Sequence, residues 1–391
     1  VVVVRAGLDS DAARTVALRT TFGGLDYEQP QPLAVGPNDL EWTLTVDQPA
    51  LWWPHALGEP TLHDLTVSVH LDDADDDAPS DRRWLRIGLR QVRLRNWIAS
   101  VNGERLFLKG ANHGPSRTAI AEATPEELAG DVTLAVAAGL DLLRIHAHIT
   151  RPEVYAAADE QGLLLWQDLP LQRGYARTVR KQAVRQAAAA VDLLGHHPSI
   201  ALWCGHNEPM AVGNDPTGWG DPKARGRRAV RSLAAPQLPT WNQPVLDRSI
   251  KRALERADRT RPVIAHSGVH PHPPQLDGTD THLYFGWHRG DERALERFLR
   301  LMPRMARFVS AFGAEAVPND AAFCEPARWP DLDWDRLGHT HALRRSRFDR
   351  YVPPADHATF EEWRVATQTY QAELVRHHIE TLRRLKYRPT G

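Results

Sequence analysis

The sequence predicts an antiparallel β-sandwich followed by a parallel (β/α)8 barrel. Three observations carry this. Residues 1–95 form short β-prone runs broken by Gly, Pro and Asp, with no helical stretch between them. From residue 96 onward, short apolar runs alternate with helical stretches, the pattern of a parallel sheet. Polar residues then stand where those runs stop, and barrels carry their chemistry at the C-terminal ends of the strands.

The first unit, 1–95, holds the candidate strands VVVVRAGL, TVALRTTF, LEWTLTV, LTVSVHL and RWLRIGLRQVRL. The acidic tract DDADDDAPSD at 72–81 separates the last two as a solvated loop. VVVVRAGL has no Met, no basic flank and no small-residue cleavage site, so it reads as strand rather than signal peptide. A chain that starts inside a strand is expected to be a fragment, and a cytoplasmic location is favoured.

The second unit, 96–391, holds seven candidate strands: RLFLKGAN (105–112), LLRIHAHI (142–149), LLLWQDLP (163–170), IALWCGHNEP (200–209), PVIAHSGV (262–269), THLYFGW (281–287) and ARFVSAFG (306–313). Helix start signals lie between them. Thr124-Pro125-Glu126-Glu127 is a capping box with Pro at the first helical position, and Thr150-Arg151-Pro152-Glu153 reads the same way. A last helix over about 360–386 ends in the basic run ETLRRLKYR, which suits a helix C-terminus. The eighth strand that would close a barrel is expected beyond Gly391. The stretches 211–243 and 314–360 are expected to shape the rim.

Composition removes some functions. Lys and Arg total 48 against 49 for Asp and Glu, a net charge of −1, so there is no basic surplus for nucleic acid. Cys204 and Cys324 supply neither a disulfide framework nor zinc spacing, and read as free buried thiols. No apolar run approaches the roughly 18 residues a membrane span needs.

The strand ends carry the candidate site. They are Asn112 and His113; Arg144, His146 and His148, spaced by two; Trp166, Gln167 and Asp168; His206, Asn207 and Glu208; His266; His282, Tyr284 and then Trp287; and Ser310, Ala311 and Glu315. Arg144 and Asp168 also fit a purely structural ion pair. Trp203, mid-strand, fits the core. Glu208, directly after an apolar strand and before Pro209, has no evident structural task.

The stretch HHPSIALWCGHNEP (196–209) resembles the acid/base signature of glycoside hydrolase family 2. VNGERLFLKGANHGP (101–115) is similar to that family's entry into its barrel, and LDLLRIHAHITRPEVYAAADEQGLLLWQDLPLQRG (140–174) to its second and third strands. PALWWPHALGEPTLHDLTVSV (49–69) is similar to the end of the immunoglobulin-like domain before the barrel. The resemblance covers most of the chain and is nearest to the β-mannosidase-like branch.

It implies an immunoglobulin-like first domain, a carbohydrate substrate, no cofactor, and retaining hydrolysis with two carboxyl groups about 5–5.5 Å apart. Glu208 matches the acid/base, and Asn207 matches the residue that bonds the sugar 2-hydroxyl. Arg144, His146, Trp166, Asp168, Tyr284 and Trp287 are expected to line the sugar subsite. The nucleophile belongs in a Ser-Glu-Phe/Tyr-Gly context, where this chain reads Ser310-Ala311-Phe312-Gly313. An alanine methyl can neither attack nor stabilise positive charge. Three explanations stand: the nucleophile is lost and a sugar-binding protein remains, Glu315 substitutes for it, or another acid such as Asp168 serves.

A rival reading comes from His146-x-His148 with His266 and His282, which resembles the metal constellation of barrel amidohydrolases. Oligomeric state and the identity of the sugar are left open.

Overall fold

The structure is a computed structural model that describes residues 1–71, 78–117, 119–209, 241–269, 279–288, 290–305, 307–386 and 390–391. Most of the 72–81 tract and of the 211–243 stretch lies outside the described residues.

The first six strands form two antiparallel sheets. β1 (Val2–Ser10) pairs with β4 (Gly36–Leu44). β3 (Leu25–Leu33), β2 (Arg14–Phe22), β5 (His63–Leu71) and β6 (Asp81–Ile87) pair in that order. Val4 and Leu44 of the first sheet pack against Phe22, Leu65 and Ile87 of the second. The sequence did not reveal β3, LDYEQPQPL. Its two prolines argue against a central strand, but among the described residues β3 pairs only with β2, so their missing N–H groups cost no ladder bond on its other side. The run RWLRIGLRQVRL is two strands rather than one. Its first half is β6; its second, β7 (Val92–Arg95), pairs with β8 (Ile98–Val101), which pairs with β9 (Glu104–Leu106). This meander spans residues 95 and 96. Val92, Ala99 and Val101 pack against Leu142, Leu164, Trp166, Leu202 and Phe308 of the parallel region.

Each of the seven predicted runs contains a parallel strand shorter than the run, though RLFLKGAN is divided: its start belongs to antiparallel β9, and β10 takes only its last three residues and His113. β10 (Gly110–His113), β11 (Leu142–Ile145), β12 (Leu164–Asp168), β13 (Ile200–Cys204) and β14 (Val263–Ile264) form one parallel sheet in sequence order. β15 (Thr281–His282) and β16 (Val309–Ala311) form a parallel pair. Every residue of β11, β12 and β13 is buried, as parallel strands covered on both faces require.

Contacts at the strand ends tie the two sets together. Thr279 N–H donates to Val269 O at 3.0 Å, and Asn112 Nδ2 donates to Ser310 O at 3.1 Å. Thr390 and Gly391 lie alongside β16, with Thr390 N–H on Arg307 O at 2.7 Å and Val309 N–H on Gly391 O at 3.2 Å.

Helices α1 (Pro125–Ala137), α2 (Pro152–Gln161), α3 (Arg180–Leu194), α4 (Arg248–Ala257), α5 (Ala294–Leu301), α6 (Trp334–His341), α7 (Arg345–Tyr351) and α8 (Phe360–Arg384) cover the strands. The capping box predicted for α1 is formed between Thr124 and Glu127. The one predicted for α2 is not: Arg151 is its N-cap, without a side-chain cap, and Glu153 pairs with Arg151 instead. α8 has a box the sequence reading did not name, Thr359 with Glu362. Cys204 and Cys324 are both free and buried. No described helix is long and apolar enough to cross a membrane.

Candidate active site

Asn207 and Glu208 follow β13 and are fixed by backbone bonds to both neighbouring strand ends. Asn207 N–H donates to Leu171 O at 2.9 Å, Arg173 N–H to Asn207 O at 2.9 Å, Glu208 N–H to Ser267 O at 3.0 Å and Ser267 N–H to His206 O at 2.8 Å. Glu208 has φ 47°, the left-handed region that a non-glycine residue enters at a cost. The side chain keeps 42% exposure.

His282, at the end of β15, meets Glu208. Its Nδ1 lies 2.6 Å from Glu208 Oε1. On the other side of the ring, Nε2 lies 3.2 Å from Ser267 Oγ and 3.7 Å from Asp280 Oδ2. Asp280 is fully buried and accepts from Ser267 Oγ at 2.5 Å and from Ser310 Oγ. Burial alone would lower the His282 pKa, but hydrogen bonds and charge from Asp280 and Glu208 raise it to about 9. Burial would raise Glu208, but the His282 hydrogen bond and charge, then His146 and Arg144, hold it below the ordinary glutamate value.

Ala311 closes the circle. β15 and β16 pair with His282 opposite Ala311, and Ala311 is buried at the end of its strand. The position named from the Ser-x-Phe-Gly pattern therefore stands beside the histidine that holds Glu208.

Arg144 and Asp168 form a buried pair. Arg144 Nη2 lies 2.8 Å from Asp168 Oδ2, with side-chain exposures of 3% and 0%. Burial, the largest single effect, pulls the Arg144 pKa down, but Asp168, Cys204 and Asp280 together outweigh it and the guanidinium stays above the ordinary arginine value. Arg144 Nη2 also donates to Asn207 Oδ1 at 2.8 Å, and Trp166 Nε1 donates to Asp168 Oδ1 at 2.8 Å. Trp166 is buried in the core beneath the Arg144 guanidinium. Trp203 is core too, its indole donating to Asp258.

Other predicted residues have partners of their own. Glu315 pairs with Arg347 and lines a cavity of about 270 Å³ with Tyr284, Trp287, Phe312 and Gln371. Trp287 is 2% exposed and packs against Phe348 and Tyr351, so its ring is mostly core. Tyr284 reaches both places: it lines the cavity, and burial, followed by the Glu208 charge, pushes its phenol up to about 12.

The spacing of Arg144, His146 and His148 suggested one strand face, but β11 stops at Ile145 and Ala147 turns the chain with φ 55°. His148 stacks on His113, while burial and then Arg144 lower the His146 pKa. His266 bonds Asp247, which also holds His206, and His282 is taken by Glu208. The four histidines of the metal reading do not converge, and among the described residues no group of three or more His, Cys, Asp or Glu could hold a metal ion. Sequence reasoning missed Asp280 and Ser267. A signal existed for Asp280: Asp280, His282 and Tyr284 alternate by two, the period of one strand face.

The chain is similar to several known proteins. The family model for glycosyl hydrolases family 2 matches residues 7–90. β-Mannosidase A of Emericella nidulans is 25% identical, over 88% of this chain and 41% of its own length. β-Mannosidase of Capra hircus is 25% identical, over 85% and 40%. The crystal structure of a β-D-mannosidase from Dictyoglomus thermophilum superposes with a TM-score of 0.75 at 22% identity, covering 100% of this chain and 48% of that one. The chain thus spans less than half the length of these relatives.

Proposed function

From a chain that is β-mannosidase-like and of glycosyl hydrolase family 2, we propose a carbohydrate site at the C-terminal ends of the strands of a (β/α)8 barrel, with an immunoglobulin-like domain before it. The substrate class is a β-mannoside or a closely related β-glycoside. Glu208 is the proton-transfer residue. Asn207, its Oδ1 occupied by Arg144, has its Nδ2 to offer a sugar hydroxyl. His146 and Tyr284 flank the bound ring. Arg144, Asp168 and Trp166 hold the floor from behind, and Trp287 supports Tyr284 from the adjoining core.

The single observation that carries the reading is the pairing of His282 with Ala311 while His282 holds Glu208. In a retaining pair the second carboxylate belongs about 5–5.5 Å from the first. Ala311 occupies that side and brings no carboxylate. The chain therefore binds sugar and cleaves it poorly or not at all. Glu315 does not fill the role, because its carboxylate is engaged by Arg347.

The test is release of aryl alcohol from aryl β-mannosides and β-glucosides by the unaltered protein and by Ala311→Glu. We expect at least about a 100-fold gain from the substitution, the low end of what a placed catalytic group contributes. Equal turnover in both proteins would show that another acid serves. No turnover in either, on any aryl glycoside, would remove the glycosidase reading.

A further inference from the structure

The hydrogen bonds around His282 constrain the charge of the cluster. Ser267 Oγ lies 2.5 Å from Asp280 Oδ2, and Ser310 Oγ bonds the same oxygen. A serine hydroxyl has one proton, and an ionised carboxylate only accepts, so both protons lie on the bonds to Asp280. Ser267 Oγ also lies 3.2 Å from His282 Nε2. With its proton committed to Asp280, Ser267 can only accept there, so Nε2 carries a hydrogen. The other nitrogen, Nδ1, lies 2.6 Å from Glu208 Oε1, and toward an ionised carboxylate, the form its lowered pKa favours, it also donates.

The ring is thus an imidazolium between two carboxylates. Arg144 Nη1, 3.5 Å from Nε2, opposes this charge, so the arrangement depends on both acids. Among the described residues, His146, Tyr284 and Cys204 are further titratable groups that face this cluster. Gly268 seats the ring: it has φ +76°, and a Cβ there would fall 2.6 Å from His282 Cε1.

We propose that His282 is a positioning residue, a protonated imidazolium anchored on Asp280 through Ser267, which clamps Glu208 and keeps it ionised. This deepens the reading of Glu208 given above and takes its functional meaning from it. A glycosidase acid must hold a proton before it can give one. A neighbouring nucleophilic carboxylate helps it do so by raising its pKa. Here Ala311 brings no charge to that side, and His282 brings the opposite one. The resting site accordingly presents a proton acceptor at residue 208 and stores the proton on His282.

The experiment is nuclear magnetic resonance of the full chain, labelled in its histidine rings, across a pH titration without sugar. The His282 ring is identified by its loss in His282→Gln, or by through-space contact with the Gly268 protons should that variant fail to fold. We expect both ring nitrogens to be protonated at about pH 7, above the ordinary histidine midpoint. Glu208→Gln is expected to lower the His282 midpoint by roughly one to three pH units, the usual effect of removing an opposite charge at contact. A neutral His282 ring at about pH 7 overturns the proposal. So does a Glu208→Gln variant that moves no histidine midpoint. Because the readout needs no substrate, failure to bind or cleave sugar leaves it untouched, and the two readings fail separately.

Discussion

Arg144 and Asp168 lie at 3% and 0% exposure, so each is tolerated there only because of the other. Asp168→Asn leaves a buried guanidinium without its counter-charge, and we expect a loss of about 3–5 kcal/mol in urea unfolding. A milder loss, within about 1 kcal/mol, would mean that water reaches the pair. The Asp280–His282–Glu208 cluster makes stability depend on pH. The folded His282 pKa is raised from 6.5 to about 9, so its contribution is whole below 6.5 and drains as pH climbs through about 9. Asp280 is depressed from 3.8 to about 2 and Glu208 is also depressed, so their share is present above their ordinary values and lost as acid titrates through the lowered ones. Unfolding midpoints in urea should therefore fall between about pH 6.5 and pH 9, and His282→Gln should flatten that slope. An unchanged slope in the variant would assign the effect to other groups. At this scale the sequence showed which residues stand at strand ends, because a carboxylate or amide after an apolar run is conspicuous. It did not show their partners. Asp280 meets Ser267 between two strand ends, and Asp247 reaches two histidines from a helical segment, through tertiary placements that local sequence does not encode.

Strands and helices were the most legible level. Each of the seven runs holds a parallel strand, and β11, β12 and β13 are buried along their whole length. Their ends were less so: LLRIHAHI promises eight extended residues, yet β11 stops at Ile145 where Ala147 takes a left-handed turn. Similar helix signals met different fates. Thr124 Oγ1 accepts from the Glu127 N–H and the Thr124 N–H donates to the Glu127 carboxylate, so the box is complete. Thr150 instead bonds the Tyr155 hydroxyl with its N–H, and Arg151 takes the cap position. Thr124→Ala should then cost about 1 kcal/mol of stability, whereas Thr150→Ala should cost less than half of that. Thermal or urea unfolding of the two variants decides this, and equal losses would contradict the assigned caps.

The two units meet along a seam that no local pattern announced. Trp52, fully buried, donates its indole N–H to Asp159 O at 2.8 Å on α2. Arg90 reaches Pro198 O at 2.9 Å and Ile200 O at 2.7 Å, at the entry to β13. The tightest approach is at Gly162, just past the C-terminus of α2. Its φ of 69° is the left-handed conformation that ends the helix, and His55 N–H donates to its carbonyl at 2.9 Å. A Cβ at this position would lie 2.7 Å from His55 N and 3.1 Å from Trp53 O, both backbone atoms that no side-chain rotation can clear. Gly162→Ala therefore meets two costs at once: about 1–2 kcal/mol for a left-handed L-residue, and the displacement of segment 53–55 from the second unit. Because β13 leads directly to Glu208, loosening this seam is expected to weaken sugar binding as well as stability. Gly139→Ala supplies the comparison: φ is 72°, but nothing lies within 4 Å of the added Cβ, so only the conformational cost applies. Urea unfolding and sugar-binding calorimetry on both variants separate the terms. If Gly162→Ala lost no more than Gly139→Ala in either measurement, the close packing of the two units would contribute nothing to the site.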